Sequence, residues 1–140
     1  MINQNRILSG STGNVWLNGK LLAQIKSIEA KITGSFEDVN LVGDFATYNA
    51  YTGWAGEGTL TMQKIDSTVL NLMADSYKTG IMPEVKIITQ LKDKSTDKSE
   101  RVAISNVVIT EFMLTKFENK ALVEEELPFK FSDYEVLETI

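Results

Sequence analysis

The chain has 140 residues, and its 43% hydrophobic content is ample for one core, so we expect a single domain over residues 1–140. Its 14 lysines and arginines against 19 aspartates and glutamates leave a net charge of −5, which argues against a protein that grips nucleic acid or an anionic membrane. There is no cysteine and no histidine, so thiol nucleophiles, thiolate metal sites and imidazole bases are excluded. We therefore expect no enzyme, no metal and no cofactor.

The amino-terminal residues predict a flexible arm and then a hairpin. Residues 1–13 are polar and rich in glycine and serine, and we expect little order there unless a partner holds them. They lack a basic start followed by an apolar run, so we expect a protein that is cytoplasmic when made. Asn18 and Gly19 tolerate the positive φ angles of a two-residue turn, which predicts a hairpin at that point.

The second arm of this hairpin has two interpretations. Its apolar residues also fit a helical spacing, at Leu21, Ile25, Ile28 and Ile32. As a strand, the same segment changes its apolar face near Lys26 and Ser27, which a β-bulge would produce. We favour the bulged strand, because a helix would have to begin directly out of a turn without a cap.

Residues 34–53 predict a long loop. Loops of this length are usually disordered or functional, and six large apolar side chains do not suit disorder. One interpretation is a short strand with a packed surface loop. The other is a contact arm that buries its apolar groups against another subunit. The candidate contact residues are Phe36, Val39, Leu41, Phe45, Tyr48 and Tyr51.

Residues 54–80 predict a glycine-rich strand followed by one helix. The strand alternates, with Thr59, Thr61 and Gln63 on its polar face. Its glycines do not form a dinucleotide-binding motif, because they lie inside a strand, and we expect close backbone packing there. The helix follows two candidate N-caps and stops at a glycine, and its key residues are Asp66, Ser67, Val69, Leu70, Met73, Tyr77 and Gly80.

The carboxyl-terminal half predicts three more strands. They cover 84–92, 102–117 and the final segment from residue 122, with a charged hairpin tip at 92–101. Pro128 cannot donate to a ladder, so the last strand lies at an edge there or is bulged. Glu124 and Glu126 share one face about 7 Å apart, a glycosidase-like spacing, but nothing indicates the burial that a general acid needs. We expect a solvated acidic face.

Together these elements predict about seven strands and one helix. The fold class is therefore mainly β, an antiparallel β-sandwich or small barrel flanked by a single helix.

Three stretches over nearly the whole chain resemble the tail tube proteins of contractile-tailed phages and phage-derived particles. The resemblance is to the branch typified by the tube protein of a defective Bacillus prophage, and the three stretches read VWLNGKLLAQIKSIEAKI, TGWAGEGTLTMQKIDSTVLNLM and EEELPFKFSDYEVL. The resemblance implies a structural subunit that forms stacked hexameric rings around a lumen, for passage of DNA or for membrane puncture. It implies that the partners are further copies of the chain and sheath, baseplate and tail-terminator proteins. DNA is then only a non-specific transit cargo, and the chain itself binds no membrane. Assembly takes place in the host cytoplasm and ends in a virion or tail-like particle.

The same resemblance gives roles to particular residues. The segment 34–53 becomes an inter-subunit arm, and the net acidity suits a channel whose wall repels the phosphate backbone. The candidate lumen residues are Thr59, Thr61, Gln63, Glu124 and Glu126. The alternative is a small β-barrel that binds a ligand or carbohydrate, as a monomer with a pocket lined by Trp16, Trp54 or phenylalanines.

Overall fold

The computed structural model describes residues 13–22, 24–93 and 95–140, which form eight strands and one helical segment. The strands are β1 (Gly13–Leu17), β2 (Lys20–Leu21), β3 (Ile25–Asn40), β4 (Thr47–Gln63), β5 (Val85–Lys92), β6 (Ser99–Ile109), β7 (Glu124–Phe131) and β8 (Asp133–Glu138). The helical segment consists of α1 (Thr68–Met73) and α2 (Ser76–Thr79). The mainly β, antiparallel class with one helical segment is confirmed. The predicted flexible arm lies outside the described residues except for Gly13, which begins β1.

The strands form two antiparallel sheets that share β6. The back sheet has the order β2–β1–β5–β6–β8, and the front sheet has the order β3–β4–β7–β6. Strand β8 pairs with Arg101–Ser105 of β6, whereas β7 pairs with Val108 and Ile109. The last strand predicted from the sequence is therefore two strands, because the chain leaves the front sheet at Ser132 and joins the back sheet.

The core lies between the two sheets and under the helical segment. Gly56 and Gly58 face it from β4, and a Cβ on either residue would collide with the ring of Phe131 or Phe129. These glycines provide close packing, as predicted, and allow two phenylalanine rings to lie directly against the strand. The buried core consists of Val15, Leu17, Leu22, Leu60, Met62, Val69, Met73, Val85, Ile87, Ile104, Val107, Ile109, Leu127, Phe129 and Phe131.

The predicted bulge in the second hairpin arm is confirmed. The register of β3 against β4 shifts between Ile25 and Ser27, which leaves Lys26 as the extra residue. The helical interpretation of this segment is therefore wrong.

The predicted helix is interrupted rather than continuous. The first helix ends at Ala74, whose N–H still donates to the Leu70 carbonyl at 2.8 Å, and the second begins after Asp75; both residues keep right-handed helical dihedrals. Asp66 accepts a hydrogen bond from the backbone N–H of Thr68 at 3.1 Å, and Gly80 ends the segment with a φ of 75°. The start and stop signals in the sequence therefore mark the bounds of the whole segment.

The strand predicted over 102–117 ends at Ile109. The hydroxyl of Tyr77 donates to the Ile109 carbonyl at 2.6 Å, and the N–H and hydroxyl of Thr110 both bond to the Pro128 carbonyl. Phe112 then stacks on Tyr77 with 5.5 Å between ring centroids. The apolar run continues past the sheet and packs on the helical segment, which alternation alone does not reveal. Pro128 lies where the pairing of β7 with β6 stops, so the predicted edge position is confirmed.

Residues 34–53 are not a loop. Strands β3 and β4 run through the segment, paired from Phe36 with Tyr51 to Asn40 with Thr47, and only residues 41–46 form the turn. The cross-strand pairs of aromatic and β-branched residues stabilise this hairpin. The glycines and aspartates of this segment are typical of loops, so the sequence alone does not indicate a hairpin.

Candidate functional site

The hairpin formed by residues 34–53, called the arm below, extends beyond the rest of the front sheet. Strand β7 pairs with β4 only over Gly56–Gln63, so no third strand among the described residues pairs with the arm. Every residue from 34 to 52 is exposed. All six predicted contact residues lie here, with exposed fractions from 38% at Val39 to 109% at Phe45. Six large apolar side chains therefore lie on a surface that the described residues leave uncovered.

The arm is held in shape by its own contacts. Phe36 and Tyr51 pack edge to face with 5.7 Å between ring centroids, and the Thr52 hydroxyl donates to the Ser35 carbonyl at 3.0 Å. At the tip, Asp44 accepts hydrogen bonds from the Ala46 N–H at 2.9 Å and from the Tyr48 hydroxyl. The hydrogen bond from Tyr48 is the main cause that lowers the pKa of Asp44, and the same bond raises the pKa of Tyr48. The tip thus presents its apolar residues on a preformed turn.

The five candidate lumen residues lie together on the outer face of the front sheet. Thr61 is opposite Glu126 and Gln63 is opposite Glu124 across the β4–β7 ladder, and alternation puts Thr59 on the same face. The Gln63 amide donates to the Glu124 carboxylate at 3.4 Å. This outer face is polar, whereas the opposite face of the same strands supplies Leu60, Met62 and Leu127 to the core.

Ion pairs cross the outer face. The Lys26 ammonium lies 2.7 Å from the Glu124 carboxylate, and Lys31 lies 3.4 Å from Glu57. The hydrogen bond and charge of Lys26 lower the pKa of Glu124, with smaller contributions from Gln63 and Lys116. A general acid needs a raised pKa, so this arrangement favours a charged, solvated surface over catalysis.

The ligand-binding alternative does not match the architecture. The path of paired strands ends at β2 and β3 without closing, so the described residues form no closed barrel. Trp54 packs against Phe131 and Tyr134, whereas Trp16 lies on the back sheet with the Arg101 guanidinium 5.9 Å from its ring centroid. The two tryptophans therefore do not share a pocket.

Two further features were not identified as sites from the sequence. The first is a buried ion pair, in which Glu125 lies inside the core face of β7 and its carboxylate is 3.0 Å from the Lys64 ammonium. The second is an exposed apolar segment after β6, where Leu114, Phe117 and Leu122 are 67–86% exposed. The alternation of β7 indicated the ion pair, because it puts Glu125 on the apolar face of the strand. The exposed segment was missed because a strand was predicted to run to residue 117.

A further buried acidic side chain in the described part of the chain has local hydrogen-bond partners. Asp93 is buried at the β5–β6 turn and accepts hydrogen bonds from the N–H and hydroxyl of Ser95 and from the Thr96 hydroxyl. Residues 13–22, 24–93 and 95–140 contain no cluster of acidic side chains suited to a metal ion. Within the same residues, no helix has the length and apolar character required to cross a bilayer.

Comparison with known proteins places this architecture in a family. Residues 1–138 match the sequence family described as phage tail tube protein. The phage-like element PBSX protein XkdM of Bacillus subtilis (strain 168) is 34% identical over 139 residues, which are 98% of this chain and 94% of XkdM.

Two solved structures share the fold. A chain of the anti-feeding prophage tube-terminating cap has a TM-score of 0.73 at 11% identity, over 99% of this chain and 96% of its own. A chain of the PVC sheath–tube complex, from an extracellular contractile injection system in its extended state, has a TM-score of 0.73 at 10% identity, over 99% of this chain and 100% of its own. The chain therefore belongs to the phage tail tube protein family.

Proposed function

We propose that this tail tube protein assembles into hexameric rings that stack into the tube of a contractile, phage-type tail. The observation that carries the proposal is the front sheet, which is polar on one face, packed on the other and open along β3. Such a sheet can line an aqueous channel only when copies of the subunit join around it.

The free edges of the two sheets support side-by-side association. In the described residues, β3 pairs only with β4 along its 16 residues, and β8 pairs only with β6. Long unpaired edges are templates for pairing with another chain, and monomeric proteins usually shield them. Edge-to-edge contact between neighbouring copies would extend the front sheet from one subunit to the next, and a closed ring would leave no edge free.

In this arrangement the polar outer face lines the lumen. Thr59, Thr61, Gln63 and Glu126 then face the channel with the Lys26–Glu124 pair. Acidic groups repel a phosphate backbone, and ion-paired groups have no net charge that would attract it. DNA or another cargo can therefore pass without being bound. The arm would bury its apolar residues against another copy.

Further partners are proposed from the relatives. The PVC structure is a sheath–tube complex, which supports a sheath protein as a partner of this chain. Baseplate and tail-terminator proteins would contact the first and last rings. Assembly in the host cytoplasm would precede incorporation into the particle.

Assembly of the purified protein tests the proposal. Size-exclusion chromatography and negative-stain electron microscopy of concentrated protein should show rings or tubes with sixfold end views. A chain that stays monomeric at every concentration and ionic strength would contradict the proposal.

A further inference from the structure

The two lateral sides of the front sheet carry unlike surfaces. On one side, the edge strand β3 lies over a cleft of about 970 Å³ between the two sheets. On the other side, β7 pairs with β6 only at Phe129 and Lys130 in the described residues. The loop over residues 110–123, called the end loop below, leaves β6 there and returns to the start of β7. Strands β4 and β7 separate the two surfaces.

The cleft is an apolar hollow that the described residues leave unfilled. Its walls come from β3 on one side and from β1, β5 and β6 on the other. Ile25, Ile28 and Val102 line it and remain half-buried, although they pack against the core. Leu21, on the short edge strand β2, also lines it and is 48% exposed. The cleft therefore continues the core surface outward and can receive further apolar side chains.

The end loop presents apolar side chains to solvent from a loop that is held at both ends. At its start, the Thr110 hydroxyl donates to the Pro128 carbonyl at 3.1 Å. At its end, the Lys64 N–H donates to the Val123 carbonyl at 2.8 Å. The loop therefore projects from a fixed base. Its large side chains that are 67–86% exposed are Leu114, Phe117 and Leu122.

Charge favours the end loop over the arm as the occupant of the cleft. The cleft lining contains one cation and one anion, Lys26 and Glu100, so its formal charge is zero. The end loop contains two lysines and two glutamates and is also neutral, whereas the arm contains three acidic residues, no basic residue and a charge of −3. Moving three unpaired carboxylates into an apolar cleft carries a large desolvation cost, which the neutral loop avoids.

We propose that the end loop of one copy packs into the cleft of its neighbour within the same ring. The inference rests on the proposed function and adds an apolar contact beside the paired edge strands. Because the two surfaces differ and lie on opposite sides of one subunit, the contact is heterologous, and it forms a ring when its rotation closes. Each copy gives its end loop to one neighbour and receives the end loop of the other.

The contact covers both exposed apolar surfaces at once. Leu114 and Phe117 of one copy leave water together with Leu21 and Ile28 of the next. A large aromatic side chain that fills an apolar hollow is the usual centre of an interface, so Phe117 is the residue on which the contact depends most. The same arrangement brings β7 of one copy beside β3 of its neighbour, as continuation of the front sheet around the ring requires.

Chemical cross-linking of assembled tubes tests the contact, because the chain has no native cysteine. Thr115→Cys places a thiol in the end loop and Ala30→Cys places one in the cleft wall, and neither change removes a large apolar side chain. A short bismaleimide that joins them between copies should give a ladder on a denaturing gel. The ladder should stop at the hexamer, since the ring closes there, whereas a contact along the tube axis gives a ladder without an upper limit.

The matched control pairs Thr115→Cys with Lys86→Cys. Lys86 lies between the core residues Val85 and Ile87 on β5 and therefore points away from the cleft, so this pair should give no ladder. Tubes of normal appearance that give no ladder with the first pair, or a ladder that continues beyond the hexamer, would overturn the proposal. The first of these results would leave the cleft to the chain's own residues 1–12, which precede Gly13 in its wall, or to another protein.

Substitution of Phe117 gives a second test. Phe117→Asp should raise the protein concentration needed for ring formation by about tenfold, because it places a charge in an apolar cleft. The control Phe117→Leu stays apolar and should assemble within about twofold of the wild type. Both variants should keep the wild-type unfolding midpoint, since Phe117 is 82% exposed in the single chain. Assembly of Phe117→Asp at the wild-type concentration would refute this contact and leave the proposed function intact, whereas a wild-type protein that forms no tubes would refute the proposed function itself.

Discussion

Gly58 sets the distance between β4 and its neighbours. A Cβ at this position would collide with the Glu29 carbonyl oxygen and come within 2.5 Å of the Phe129 ring, and a backbone carbonyl cannot move aside cheaply. Gly58→Ala should therefore lower the free energy of unfolding by about 2 kcal/mol, as overpacking of a core does. Urea denaturation measures this. The control Ala55→Val, on the exposed face of the same strand, should change stability by no more than about 0.5 kcal/mol.

The Lys64–Glu125 pair predicts an asymmetric response to mutation. Glu125 is 4% exposed, so Lys64→Met leaves a carboxylate buried without its cation. We expect a loss of about 3 kcal/mol of unfolding free energy, at the lower end for buried pairs because the Lys64 side chain is still 28% exposed. The double variant Lys64→Met with Glu125→Leu should recover most of the loss. A double variant no more stable than the single one would show that the carboxylate is not the cause.

Glu124 predicts a pH dependence of stability. Lys26 lowers the pKa of Glu124 in the folded protein below its ordinary value of 4.5. The folded state therefore binds the proton less readily than the unfolded state, and the stabilisation is present above pH 4.5 and lost as the pH falls through the folded-state pKa. Glu124→Gln should be slightly less stable than the wild type at pH 7, and the difference should shrink below pH 4. Lys26→Met should give the same profile. A difference that grows in acid would contradict this assignment.

At the scale of elements, the sequence correctly predicted the features that depend on only a few neighbouring residues. The Asn18–Gly19 turn, the bulge at Lys26 and the stop at Gly80 each follow from backbone preferences of a few residues. The arm was missed as a hairpin because its stability comes from cross-strand pairs, not from a turn motif. The end of β6 at Ile109 was missed because Tyr77 and Pro128, both distant in sequence, decide it.

Removing the arm should separate assembly from folding. Replacing residues 35–53 by Asn-Gly would join Gly34 to Trp54, a cross-strand pair, through a two-residue turn. Because the deleted residues contribute nothing to the buried core, thermal unfolding should stay cooperative with nearly the same midpoint. We expect monomers on size-exclusion chromatography and no tubes in electron micrographs. Tubes from the shortened chain would show that the arm is dispensable.

At the scale of the whole molecule, the shared face of Thr59, Thr61 and Gln63 was predictable because strand alternation fixes which side chains of one strand share a face. The sequence could not show that β7 lies beside β4, which brings Glu124 and Glu126 next to Gln63 and Thr61. Nor could it show which sheet edges stay free, since that depends on the order of all strands. Both features are needed before a polar sheet face can be proposed as the wall of a channel.

The central claim is that the polar face of the front sheet lines the lumen of a tube built from this chain. A cryo-electron microscopy reconstruction of tubes assembled from the purified protein tests it most directly. We expect stacked sixfold rings in which Thr59, Thr61, Gln63, Glu124 and Glu126 face the channel and β3 pairs with a neighbouring copy. A tube in which the back sheet or the helical segment lines the channel would contradict the claim.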